Sequence, residues 1–158
     1  MQLILIRHGE AGPYQADDAV RKLTERGQLQ AAWTAEHILA NYHPDLLVVS
    51  PYVRAQQTLA PFQAKLPDVP VVVLEAITPD ADPRMALDLL SMLPSKYAAK
   101  SIVVVCHMNV VAYMAALLID EDPEGFSLAE ARVFEQPLVL LGLSVERARY
   151  APPSDLGR

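Results

Sequence analysis

The chain has 158 residues, 52% of them apolar and 20% charged, the balance of one globular domain spanning 1–158 with a sizeable core rather than of a disordered segment. A net charge of −6 excludes a general nucleic-acid binder, whose affinity comes from clustered Lys and Arg, and a single cysteine, Cys106, excludes an internal disulfide and a cysteine-based zinc site. No apolar run approaches the roughly 20 residues of a membrane helix, and Met1 to Ile6 lead into Arg7 without a basic leader, so no membrane association and a cytoplasmic location are expected.

Gln2 to Ile6 is short, apolar and closed by a glycine-containing turn, which predicts a buried strand. Thr24 then offers a helix cap, and Ala31, Ala35, Ile38, Leu39 and Tyr42 share one face of a helix that His43-Pro44 ends. Leu46 to Val49 predicts a second strand. Ser50-Pro51 reads as a cap with a first-turn proline, so a second helix carrying Arg54 is expected from there, with Pro61 kinking or ending it. A weaker strand is expected over Val71 to Leu74. Asp82-Pro83 repeats the start signal for a third helix over Arg84 to Leu93, stopped by Pro94. Ile102 to Val105 predicts another strand and Asn109 to Ile119 a fourth helix, closed by the acidic run Asp120 to Pro123. Leu138 to Val145 reads as a strand, while residues 124–136 fit helix or strand alike. The proline-rich end, 151–158, is expected to be mobile. Strands alternating with helices predict a three-layer α/β/α sandwich with a mostly parallel central sheet.

Three of these strands each deliver basic residues just past their carboxyl end: Arg7-His8, Arg54 and His107. Loops from that edge converge on ligands in open α/β sheets. Two arginines and two histidines gathered there would repel one another unless an anion lay among them, and a phosphoryl group makes the best use of guanidinium forks. Arg54 near a helix start adds to the anion preference, and Gly9 permits close backbone approach. A histidine in such a cluster attacks phosphorus if one ring nitrogen is bare and the other fixes the ring, a role that His8 fits. Glu10 and Ser50 are candidates for the pocket fringe. His37 and His43 read as solvated groups, and Asp17 and Asp18 as loop charges able to fringe the pocket mouth. No metal is expected, because the arginines would oppose a cation.

Arg7-His8-Gly9-Glu10-Ala11, Leu23-Thr24-Glu25-Arg26-Gly27 and Ser50 to Thr58 (SPYVRAQQT) together resemble the motifs of the histidine phosphatase, or phosphoglycerate-mutase-like, superfamily. The short length, Ile77-Thr78-Pro79 and the late Val104-Val105-Cys106-His107 are most similar to its SixA-type phosphohistidine phosphatases, over roughly residues 1–119. Cys106 stands where the family commonly has Gly or Ser. The resemblance implies a phosphoglycerate-mutase-like fold, His8 as a nucleophile that becomes phosphorylated, and Arg7, Arg54 and His107 as the phosphoryl-binding groups, without a cofactor. It also implies a histidine-phosphorylated protein, such as a phosphotransfer domain, as partner. Larger relatives insert a segment bearing a proton-donating carboxylate, and no insertion is evident between Thr58 and Val71, so the general acid is unassigned, with Glu10, Asp80 and Asp82 on neighbouring loops open as donors. An imidazole leaving group, with a conjugate-acid pKa near ~6.5, tolerates that gap better than an alkoxide does. The alternatives are a small-molecule phosphomonoesterase and a phosphate-dependent binding module without turnover.

Overall fold

The computed structural model describes residues 1–158. Its six-stranded sheet has the order β3-β2-β4-β1-β5-β6. Strands β1 (Gln2–Arg7), β2 (Leu46–Val49), β3 (Val71–Val73) and β4 (Ser101–Cys106) are mutually parallel. The last two, β5 (Ala131–Glu135) and β6 (Val145–Tyr150), add an antiparallel hairpin beside β1. Alternate residues of the central strands point to opposite faces, which is why continuous apolar runs are needed there. Leu3, Leu5, Val48, Ile102 and Val104 join one core with helices α3 (Pro83–Leu90) and α5 (Val110–Ile119). Ile4, Ile6, Val49, Val103 and Val105 join the other with α1 (Glu25–Asn41) and α2 (Val53–Lys65). The three-layer α/β/α sandwich with a mostly parallel sheet is therefore observed. No helix is long and apolar enough to cross a membrane.

The expected caps at Thr24 and Asp82 are present: Thr24 accepts from the Gly27 N–H, and Asp82 accepts from the N–H groups of Arg84 and Met85. The start of α2 differs from expectation. Its N-cap is Tyr52, because the Ser50 hydroxyl is occupied by the Tyr52 N–H and by the His107 ring. Pro61 does not end α2, which runs on to Lys65. A proline removes one helical hydrogen bond, and the burial of Leu59 and Phe62 on either side outweighs it. Nor does Pro94 stop the third helix: α3 ends at Leu90, and Pro94 lies in the first turn of the short α4 (Leu93–Tyr97), where a missing N–H costs little.

Of the ambiguous stretch 124–136, Ala131–Glu135 forms β5 and 124–130 forms neither helix nor strand, whereas the strand expected over Leu138 to Val145 is absent. Residues 137–144 are a turn-rich connection and β6 begins only at Val145. Gly142, at φ +71°, sends its N–H to the Leu117 carbonyl, and Ser144 sends its own to Leu118, so these groups bond the end of α5 instead of a sheet neighbour. The C-terminal segment, for which composition predicts mobility, lies against α1, where Arg26 donates to the carbonyls of Ser154 and Leu156.

Candidate active site

A cavity of about 510 Å³ opens at the carboxyl end of the sheet, lined among others by Arg7, His8, Asp18, Arg21, Arg54, Met108 and Leu128. β1 places Arg7 and His8 there, and the first turn of α2 places Arg54. The local turn after β1 depends on two glycines from separate motifs. A Cβ on Gly9 would come within 2.7 Å of the Gly27 carbonyl oxygen, and one on Gly27 within 2.0 Å of the Glu10 oxygen. The Arg-His-Gly turn and the start of α1 therefore press backbone against backbone, which no larger residue allows.

Orientation of the His8 ring fixes its chemistry. Its Nδ1 lies 2.7 Å from the Gly9 carbonyl oxygen. A carbonyl only accepts, so Nδ1 carries the proton and Nε2 bears the free lone pair. Arg54 Nε donates to that Nε2 at 3.3 Å. Burial pushes the His8 pKa down to about 4; the Gly9 hydrogen bond acts against this, and the charges of Arg54, Arg7 and Arg21 reinforce it. At neutral pH the ring is thus uncharged with a nucleophilic nitrogen facing a guanidinium.

Arg54, only 3% exposed, also donates through Nη1 to the Asp18 carbonyl oxygen at 2.8 Å and through Nη2 to Asp18 Oδ2 at 3.0 Å. Arg21 Nε meets Asp18 Oδ1 at 3.1 Å. Burial works against ionisation of Asp18, but its hydrogen bond to Arg54 and the charges of Arg54 and Arg21 hold its pKa below the usual carboxylate range. Arg7 makes one side-chain hydrogen bond, from Nη1 to the Phe126 carbonyl oxygen at 2.8 Å, and leaves its buried Nε without a partner.

His107 is fully buried behind the cavity wall, its ring centroid 5.2 Å from that of His8. Its Nε2 is 2.7 Å from Ser50 Oγ, while Nδ1 is buried and unpartnered. Burial first, then the proximity of His8, Arg54 and Arg21, pushes its pKa strongly down, so it too is neutral. The four residues expected from the sequence converge. The others fall differently. Gly9 gives its N–H to Thr58 Oγ1 at 3.0 Å, so the close approach it permits is to Gly27 and its N–H is not free for an anion. Ser50 lies beneath the pocket as the partner of His107 rather than at its fringe. Glu10 reaches the cavity wall, but its carboxylate is bound by Arg26 at 2.8 Å and by the Thr24 hydroxyl at 2.9 Å, and these bonds hold its pKa below the ordinary range.

Sequence reasoning missed Arg21, which caps a single 3-10 turn (Asp18–Val20) that no apolar pattern announces, and it left Asp18 among solvated loop charges. The one available signal was position between two recognised motifs, which brings 11–23 back across the pocket through the isolated Ala11 to Leu23 bridge.

The profile of the histidine phosphatase superfamily (branch 1) matches residues 3–78. Two curated relatives are 33% identical: the phosphohistidine phosphatase SixA homolog of Haemophilus influenzae, over 75% of this chain and 77% of its own, and phosphohistidine phosphatase SixA of Escherichia coli K12, over 75% and 74%. The solved structure of the protein histidine phosphatase SixA complexed with tungstate superposes with a TM-score of 0.85 at 27% identity, covering 96% of this chain and 97% of that one. Agreement in sequence, in fold and in motif order means that this chain belongs to the histidine phosphatase superfamily, on its SixA-like side.

Proposed function

We propose that the chain is a protein phosphohistidine phosphatase working through a covalent phosphohistidine on His8. The observation that carries this reading is the His8 ring itself, its proton held at Nδ1 by the Gly9 carbonyl and its Nε2 lone pair facing the Arg54 guanidinium in a pocket of arginines. Nε2 attacks phosphorus in line with the bond to the departing group; the P–N bond of the substrate breaks and its imidazole leaves as a neutral ring when its far nitrogen is protonated. Water then attacks the phosphorylated His8, releasing phosphate and restoring the lone pair. Arg7, with an unpartnered Nε, and Arg54 bind phosphoryl oxygens, and Arg54 must turn its Nε from the His8 lone pair to an oxygen as the substrate enters. His107 contributes a neutral hydrogen bond from Nδ1, with the Ser50 hydroxyl donating to Nε2.

The substrate class rests on the carboxylates. Both at the cavity, Glu10 and Asp18, are paired with arginine or threonine donors and held ionised, Asp82 caps α3, and Asp80 is exposed outside the cavity lining. An alkoxide leaving group needs an acid here, whereas imidazole departs without one. The curated SixA relatives, named as phosphohistidine phosphatases, support the same class, as does the SixA structure holding tungstate, a tetrahedral oxyanion. A phosphotransfer-type protein carrying phosphohistidine is the partner. The test is phosphate release in chelator from a histidine-phosphorylated carrier protein and from a panel of small phosphate esters. Release from the carrier alone is expected, and preferential turnover of an ester would replace this reading with a phosphomonoesterase.

A further inference from the structure

Arg7 takes its direction from a single carbonyl, that of Phe126, in the segment 120–130 between α5 and β5, which has no helix or strand of its own. Two buried charged residues hold that segment. Arg132, 2% exposed on β5, donates through Nη1 to the Glu124 carbonyl oxygen at 3.1 Å and through Nη2 to that of Gly125 at 2.7 Å, and its guanidinium lies 3.7 Å over the Phe126 ring. Glu130 receives Arg132 Nε on one oxygen and the Ser127 N–H on the other, the latter at 2.9 Å. The same segment accepts the Arg7 N–H at the Glu130 carbonyl and bonds the His8 carbonyl through the Ala129 N–H.

We infer that the buried Glu130–Arg132 pair is the positioning device of the phosphate pocket, fixing the Phe126 carbonyl and through it the Arg7 guanidinium. The inference rests on the proposed phosphoryl-binding role of Arg7. A buried ion pair contributes little net stability, because desolvation of both charges offsets their attraction. What this pair does supply is geometry: a planar fork satisfies two successive carbonyls, stacks on the Phe126 ring, and is itself locked by a carboxylate. Neither Arg132 nor Glu130 lines the cavity, so they act through the segment they hold, whose Phe126 carbonyl aims the Arg7 guanidinium, and are positioning residues.

The experiment compares Arg132→Lys and Glu130→Gln in wild-type and Arg7→Ala backgrounds, with orthovanadate affinity by calorimetry, kcat/KM on the phosphohistidine carrier, and circular dichroism to verify folding. Lysine keeps the charge but loses the fork and the stack. A displacement of order one ångström at a transition-state contact costs roughly tenfold to a hundredfold. Folded Arg132→Lys is therefore expected to lose about that factor in vanadate affinity and kcat/KM, and to lose less than about twofold when Arg7 is already alanine, since effects through one shared residue do not add. Wild-type affinity in folded Arg132→Lys, or an equal loss in the Arg7→Ala background, would overturn the inference. Should Arg132→Lys fail to fold, Glu130→Gln carries the same comparison. Vanadate binding reads the pocket without a phosphohistidine substrate, so a wild-type chain that binds vanadate yet spares the carrier would count against the substrate reading alone.

Discussion

Arg54 and Arg7 line the same cavity and are held in opposite ways. Arg54 has all three guanidinium nitrogens engaged in the resting chain, by the His8 lone pair, the Asp18 carbonyl and the Asp18 carboxylate. Its carboxylate partner is part exposed and shared with Arg21, so the whole Asp18 side is an ionic arrangement that an incoming dianion can rearrange. Arg7 has one bond, to a main-chain carbonyl, and spare donors. Its geometry is set before any substrate arrives. In the proposed mechanism the contrast pairs a preorganised donor, which needs no reorganisation in the transition state, with an exchangeable one that covers the His8 lone pair until phosphate displaces it.

The severest test removes the atom both arginines serve. His8→Ala should lower turnover by on the order of 10⁴-fold or more and abolish acid-labile phosphate incorporation into the chain, as loss of a covalent nucleophile does. Retained incorporation would mean that another group attacks. Next in size, Arg7→Lys keeps a donor for Phe126 but removes the planar fork, and should cost roughly 10²–10³-fold in kcat. A loss in KM alone would show that Arg7 binds the ground state and transition state equally, which breaks the idea of a preset donor.

The pH profile sharpens the comparison from the side of the nucleophile. With burial and three arginines pushing the His8 pKa to about 4, kcat/KM should show no loss on acidification past the ordinary histidine value of 6.5, where protonation of the leaving imidazole favours cleavage, and should fall only near pH 4. Stability moves earlier. Both buried histidines have folded pKa values below the unfolded one, so the unfolded chain binds more protons below pH 6.5 and the melting temperature should fall from there downward. An acid limb of activity at about pH 6.5, in protein that circular dichroism shows to be folded, would mean that the ring is not kept neutral by its surroundings. On the exchangeable side, Asp18→Asn removes a negative charge that competes with phosphate for Arg54 and Arg21, and orthovanadate should bind roughly two- to fivefold tighter, the value of a part-exposed ion pair. Weaker binding would recast Asp18 as a brace instead of a competitor.

How much of this was legible in the sequence follows from how each part is built. The parallel strands β1, β2 and β4 are covered on both faces, so they need no alternation of apolar and polar residues, and their unbroken Leu, Ile and Val runs announced them together with the residues at their carboxyl ends. Beyond residue 120 the determinants are contacts between distant segments. β6 carries alternating half-exposed residues, VERARY, and its neighbour 137–144 is apolar but mostly exposed, Leu138 to 60%, with Val139 alone among its apolar residues entering the core. Apolar composition there mimicked a strand that main-chain bonds to α5 preclude. Glu130 and Arg132 were invisible as site determinants for the same reason, since their meaning lies in carbonyls that only the folded segment 120–130 presents. The glycines were read half correctly: Gly9 does require close approach, but the approaching backbone belongs to Gly27.

The smallest expected effect concerns the frame that both arginines share. Thr24 caps α1 by accepting the Gly27 N–H at 3.0 Å, and its hydroxyl donates to Glu10 at 2.9 Å, so it ties the helix start to the turn after His8 without reaching the cavity. Replacing such a cap by alanine costs about 1 kcal/mol, which for a chain of this size lowers the melting temperature by roughly 2–4 °C. Glu10 keeps Arg26, and the glycine contact that sets the turn is main chain against main chain, so neither should shift. Thr24→Ala should therefore melt earlier while kcat/KM stays within about twofold of wild type, a stability effect separated from catalysis. A tenfold loss of activity at unchanged secondary structure would show that the turn after β1 is not rigid on its own, and that the preset geometry of Arg7 and His8 depends on the helix cap as well as on the segment ahead of β5.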